Sequence, residues 1–185
     1  MARLRYSINI TLDGCCDHNT VGPDAESHAY WAESLTRSDA LLFGRVTYQM
    51  MEEAWRLLPS GVWPEWMDDA DIAFAQVIDG AKKYVVSSTL GGADWNAVLL
   101  RGDPVEAVAA IKAEHAGEIF VGGVTLPLEL AQAGLIDDYE FVVHPVIAGR
   151  GPTLFHGLPE QLQLRLTGRR EFASGAVALS YTATR

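Results

Sequence analysis

A chain of 185 residues, 49% of them hydrophobic, is long enough for one domain with a sizeable core. Its 14 Lys and Arg against 24 Asp and Glu leave a formal net charge of −10, which argues against nucleic acid as a partner, since that needs a broad basic face. No apolar run is long enough to cross a membrane and the N-terminus lacks a signal-peptide core, so the expectation is a cytoplasmic protein without a membrane partner.

The only cysteines are the neighbours Cys15 and Cys16. Adjacent cysteines rarely form an unstrained disulfide, so both are expected as thiols. Asp17 and His18 stand beside them, but four consecutive residues rarely wrap one ion. No second Cys/His pair lies at ligand spacing, and no metal site is expected.

From Arg3 to Leu12 the chain alternates, with Leu4, Tyr6, Ile8 and Ile10 on one side, as in a half-buried strand. Asp13-Gly14 ends it, a polar loop containing Pro23 follows, and a helix is expected near Glu26 to Arg37. Ala40 to Phe43 is wholly apolar, as in a central strand, and runs through Gly44 into a helical pattern with Arg45 and Thr47 in its first turn. A tryptophan-rich link from Pro59 to Asp71 precedes a helix near Asp68 to Asp79. Strands are expected at Lys83 to Val86, before Ser87 and Ser88, and at Ala97 to Leu100. Asp103-Pro104 then opens a helix to about His115.

Glu118 to Val121 is the next strand. It breaks into Gly122-Gly123, and a helix begins near Val124 and Thr125, with Gly134 as its stop. Bare backbone N–H groups at such a junction can hold a phosphate, helped by the helix dipole; a tight turn that binds nothing fits the same residues. Tyr139 to Ile147 forms a strong strand. Leu162 to Leu166, running on to Phe172, pairs with Val177 to Tyr181 as an antiparallel hairpin. Helix and strand alternate, then strands close the chain. This is an α/β pattern, a mostly parallel mixed sheet with helices on both faces in a single domain spanning 1–185. Ligands of such sheets sit at the carboxyl ends of the strands, where the Gly44, Ser87 and Gly122 junctions fall.

Leu12-Asp13-Gly14, Gly44-Arg45-x-Thr47-Tyr48, Val86-Ser87-Ser88, Val121-Gly122-Gly123, Gly134 to Asp138 and Pro145 to Gly151 occur in that order. Together they resemble the dihydrofolate reductase-like superfamily. They are most similar to the reductase domain of bacterial riboflavin biosynthesis in its stand-alone form, over nearly the whole chain. The resemblance implies an NADPH-dependent reductase acting on a small heterocyclic or carbonyl substrate, and a homodimer. It implies cofactor contacts from Gly44, Arg45, Thr47, Ser87, Ser88, Gly122, Gly123, Val124 and Thr125. Ser87 and Ser88 would lie near the adenosine 2′-phosphate. The two glycines would let the cofactor approach, with a cis Gly122–Gly123 bond as one means of doing so.

Where dihydrofolate reductases carry a carboxylate, counting back from Gly44-Arg45 places His28. His28 and Asp13 are therefore the candidate proton donors, with packing and turn capping as their plainer roles. Cys15 to Tyr30 holds no Lys or Arg, which speaks against a ribose-phosphate substrate. A nucleotide-binding module without turnover is the competing function class.

Overall fold

Six short strands, most of them strongly apolar, lie side by side in parallel, because each is followed by a chain return long enough to carry it back across the sheet. The computed structural model describes residues 1–22 and 24–184, so Pro23 lies outside the described residues. The elements are β1 (Arg3–Thr11), α1 (Ala25–Thr36), β2 (Ala40–Gly44), α2 (Arg45–Trp55), α3 (Asp69–Gly80), β3 (Lys83–Val86) and β4 (Ala97–Leu100). They continue with α4 (Pro104–Glu114), β5 (Glu118–Val121), α5 (Thr125–Gln132), β6 (Asp138–His144), β7 (Leu164–Glu171) and β8 (Val177–Ala183).

The sheet runs β4-β3-β2-β5-β1-β6-β8-β7, parallel through β6, with β8 antiparallel to both its neighbours. On one face Leu4, Tyr6, Leu42, Val121 and Tyr139 pack with Val108 and Ile111 of α4 and Leu126 and Leu130 of α5. On the other, Leu41, Phe43, Val85, Phe120 and Val142 meet Trp31 of α1, Tyr48 of α2 and Phe74 and Ile78 of α3. Each fully buried aliphatic side chain of these layers contributes roughly 1.5–3 kcal/mol.

Two expectations about strands need correction. β1 is not half-buried: it lies between β5 and β6, and Arg5 and Ser7 on its second face are as buried as Leu4 and Tyr6. Period-two alternation identified the apolar face, but on the polar face Arg5 bonds Ser34 of α1, and Arg5 and Ser7 both donate to Glu140. β6 stops at His144 rather than Ile147, because Pro145 has no N–H for the ladder and β8 gives its last partner, Val177, to Val143. β7 and β8 pair antiparallel as expected, with β8 between β6 and β7 and β7 at the edge.

Candidate functional site

The junctions after β3, β2 and β5 stand next to one another, because those strands are consecutive in the sheet. Two of them interlock. A Cβ on Gly44 would sit 3.7 Å from Leu126 Cβ at the start of α5, and one on Gly123 would lie 2.5 Å from Thr47 Oγ1 in the first turn of α2. Tyr6 donates its hydroxyl to Gly123 O at 2.9 Å from the sheet below. Gly122 makes room for protein rather than for a ligand, since its Cβ would meet the rings of Phe43 and Phe120 at 3.2 Å. The Gly122–Gly123 bond is trans, as no cis peptide occurs among the described residues. Gly123 makes the turn through φ +99° instead, while Gly122 N–H still donates to Leu42 O at 3.2 Å.

The helix starts differ in one informative way. Asp24, Asp68 and Asp103 cap α1, α3 and α4 with side-chain oxygens. α2 begins at Gly44 and α5 at Val124 with no side-chain cap. Their first-turn N–H groups therefore face the carboxyl edge without a carboxylate in front of them, the arrangement that suits an anion. Arg45 is exposed at the head of α2 and donates to Gln49 Oε1 at 3.0 Å; Thr125 is exposed at the head of α5.

At the β3 junction, Ser87 Oγ accepts from Thr89 N–H at 3.2 Å and Leu90 N–H at 3.0 Å, which folds the loop, and Ser88 is exposed beside it. Arg101 was missed in the sequence. It follows β4 and donates to Ser87 O at 3.0 Å and Leu90 O at 2.5 Å. The signal was present, since an Arg directly after the apolar run Val98-Leu99-Leu100 stands at a fourth carboxyl end.

The expected proton donors are placed apart. Asp13, on the β1 loop, accepts from Thr11 Oγ1 at 2.5 Å, Ala148 N–H at 3.0 Å and Gly149 N–H at 2.8 Å. Those donors lower its pKa to about 2, the Thr11 hydroxyl foremost, so near neutral pH it is an ionised anchor for the loop after β6. His28 sits where α1 meets α3, stacked on Phe74 at 5.3 Å with Trp55 edge-on at 5.7 Å. Its Nδ1 lies 2.8 Å from Asp71 Oδ1, and its Nε2 is buried without a partner. Asp71 Oδ2 meanwhile accepts from Asp68 N–H at 3.1 Å, so the capping box of α3 fixes the carboxylate that fixes the imidazole.

Beyond these, His144 ends β6 with Nε2 3.0 Å from Asn9 Oδ1 of β1. Burial lowers its pKa, opposed by Asp24.

Comparison with known proteins bears on the family and the fold. YyaP of Bacillus subtilis (strain 168), described as uncharacterized, is 25% identical over 183 residues, covering 97% of this chain and 94% of its own. A Shewanella sp. PV-4 protein with a provisional riboflavin-biosynthesis assignment superposes at TM-score 0.75 with 18% identity, covering 99% of each chain. The dihydrofolate reductase of Enterococcus faecalis, solved in complex with NADP(H), superposes at TM-score 0.67 with 14% identity over 99% of this chain and 97% of its own. The family described as the RibD C-terminal domain matches residues 2–178. With that match over nearly its full length, the chain belongs to the RibD C-terminal domain family, and it shares its fold with a dihydrofolate reductase.

Proposed function

We propose that the protein is an NADPH-dependent reductase that transfers hydride to a C=N or C=O group of a small heterocyclic or carbonyl substrate. One observation carries this reading: the uncapped starts of α2 and α5 interlock at neighbouring strand ends. A pyrophosphate laid across them would be met by the free N–H groups of both first turns and by Arg45. Ser88 and Arg101, at the next strand ends, would meet a 2′-phosphate there, which would favour NADPH over NADH. When bound, the cofactor supplies the hydride. The chain's own residues bind it, orient it and deliver a proton.

For the proton, His28 is the better of the two candidates. Asp71 sets its orientation, and its Nε2 is a buried orphan, costing about 1–3 kcal/mol, that a substrate heteroatom would satisfy once the contact between α1 and α3 opened to admit it. Asp13 is spent on its loop.

The test is a fluorescence titration with NADPH and NADH in parallel, repeated with Arg45→Ala. The expected result is NADPH affinity in the micromolar range, about −8 kcal/mol, a clear preference over NADH, and a loss of roughly tenfold or more in the variant. Equal affinity for both nucleotides, or none, removes the reading. A nucleotide-binding module without turnover has one observation in its favour: both expected donors are engaged by the protein. NADPH binding with no oxidation across pterins, aminouracils and small carbonyls would select it.

A further inference from the structure

On the face of the sheet that α4 and α5 cover, the chain between β6 and β7 crosses over β1 and β6 and leaves a cavity of about 320 Å³ beneath it. Ile10 of β1 and Tyr139 and Phe141 of β6 form its floor, and Leu154, Phe155 and Leu158 of the crossing segment form its roof. The roof is tied down at both ends. Leu154 N–H donates to Gly14 O at 3.0 Å, and Thr184 N–H donates to Gln163 O at 2.9 Å. Between them Phe155 pins it to the floor, its ring edge-on to Tyr6 at 5.6 Å, Tyr139 at 6.0 Å and Phe141 at 6.3 Å. Phe155 takes φ +56° to do so, a backbone that bulky residues rarely adopt, and the three ring contacts offset its cost.

One polar group stands out in this apolar space. Tyr139 is 2% exposed, yet its hydroxyl makes no hydrogen bond among the described residues. The other buried tyrosines each have a partner: Tyr6 has Gly123 O, Tyr48 has Trp95 N–H, and Tyr84 has His115 Nε2. Nor is the Tyr139 hydroxyl among the atoms shut off from solvent without a partner, so it opens on the cavity that its side chain lines. Burial, with Asp137 adding to it, pushes its pKa up to about 12, so near pH 7 it is a neutral donor and acceptor.

The lining says what could meet it. Of the nine residues around the cavity, Tyr139 alone has a polar side chain. A water needs two to four polar partners, so an apolar occupant suits the space better. A charged one would be desolvated with nothing to pair with. An apolar cavity of about 150 Å³ accepts benzene, so about twice that suits two fused rings. Gly44, Arg45, Ser87 and Gly122 are all absent from the lining, so this is a different place from the strand ends proposed for the nucleotide.

We propose that this cavity is a second ligand site. It takes a neutral aromatic molecule of one or two rings bearing a single hydroxyl or carbonyl group, which pairs with the Tyr139 hydroxyl. The proposal stands whether or not the protein is a reductase.

The test uses the full chain with 13C-labelled isoleucine and leucine methyl groups, observed by NMR at about pH 7. The probes are 2-naphthol, naphthalene and the anion 2-naphthoate. 2-Naphthol should shift the methyls of Ile10, Leu154 and Leu158 saturably, with a dissociation constant of roughly 100 μM. Naphthalene should bind about fivefold more weakly, one hydrogen bond's worth. Tyr139→Phe should weaken 2-naphthol alone and so erase that difference. 2-Naphthoate should bind more than about tenfold more weakly than 2-naphthol. Leu158→Trp, in the half-buried roof, should fill the space and lose both neutral probes; it carries the test if Tyr139→Phe fails to fold. No saturable shift at those methyls, naphthoate binding as tight as naphthol, or an unchanged naphthol preference in Tyr139→Phe overturns the proposal. So do shifts of the same methyls with protein concentration when no probe is present, since a second copy of the chain would then be what covers the cavity.

Discussion

Asp13 ties β1 to the loop after β6, and its lowered pKa makes that tie dependent on pH. Its folded value of about 2 lies below the ordinary 3.8, so its contribution to stability is present above about pH 4 and lost as pH falls towards 2. Asp13→Asn should therefore be less stable than the parent near neutral pH, with the gap closing between about pH 4 and 2 in paired urea melts. A constant gap across that range would show that the carboxylate charge contributes nothing. In the same variant the Ala148 and Gly149 amides should exchange faster with deuterium, since each donates to Asp13. Gly123 makes a steric case. At φ +99° and with Thr47 Oγ1 2.5 Å from where its Cβ would stand, Gly123→Ala should cost about 1–3 kcal/mol for the backbone alone. Adding Thr47→Ala should recover the steric part and not the backbone part. Complete recovery would mean that φ relaxes.

The strands and helices were legible where one physical signal decided them. Ala40 to Phe43 and Glu118 to Val121 read as buried strands because nothing polar interrupts them, and Asp103-Pro104 read as a helix start because cap and first-turn chemistry coincide. β1 misled because alternation reports which side is apolar, not whether the polar side is covered. Arg5 and Glu140 are sequence-distant, and only folding makes them partners, with side chains 8% and 4% exposed. Arg5 also bridges Glu118 at 2.8 Å, so removing Glu140 leaves the buried guanidinium with one carboxylate instead of two. Glu140→Ala should cost roughly 3–5 kcal/mol, read from the urea midpoint at unchanged slope. Replacing both charges together, Arg5→Met with Glu140→Leu, should cost less, since the one carboxylate then left without Arg5, Glu118, is partly exposed. A double variant as unstable as the single one would place the loss in the hydroxyl groups of Ser7, Tyr30 and Ser34 instead.

What joins these parts into a site is strand order, the one property no local pattern encodes. Gly44, Ser87 and Gly122 were visible as junctions, but their adjacency comes from β3-β2-β5 lying side by side although β5 is separated from β2 by two strands and three helices in the chain. The same order hid Arg101 and the Asn9–His144 pair, whose members meet across strands 135 positions apart. A ligand gripping several junctions must stabilise the whole sheet, because those junctions belong to strands that cannot separate without unfolding it. At one hundred times its dissociation constant NADPH should add about 2.7 kcal/mol, or roughly 5–10 °C in midpoint for a chain of this size. Hydrogen exchange should slow together at the residues after β2, β3 and β5, and not at the β7 edge. Protection confined to one junction would mean a fragment of the cofactor binds there, and the shared grip on which the reductase reading depends would be absent.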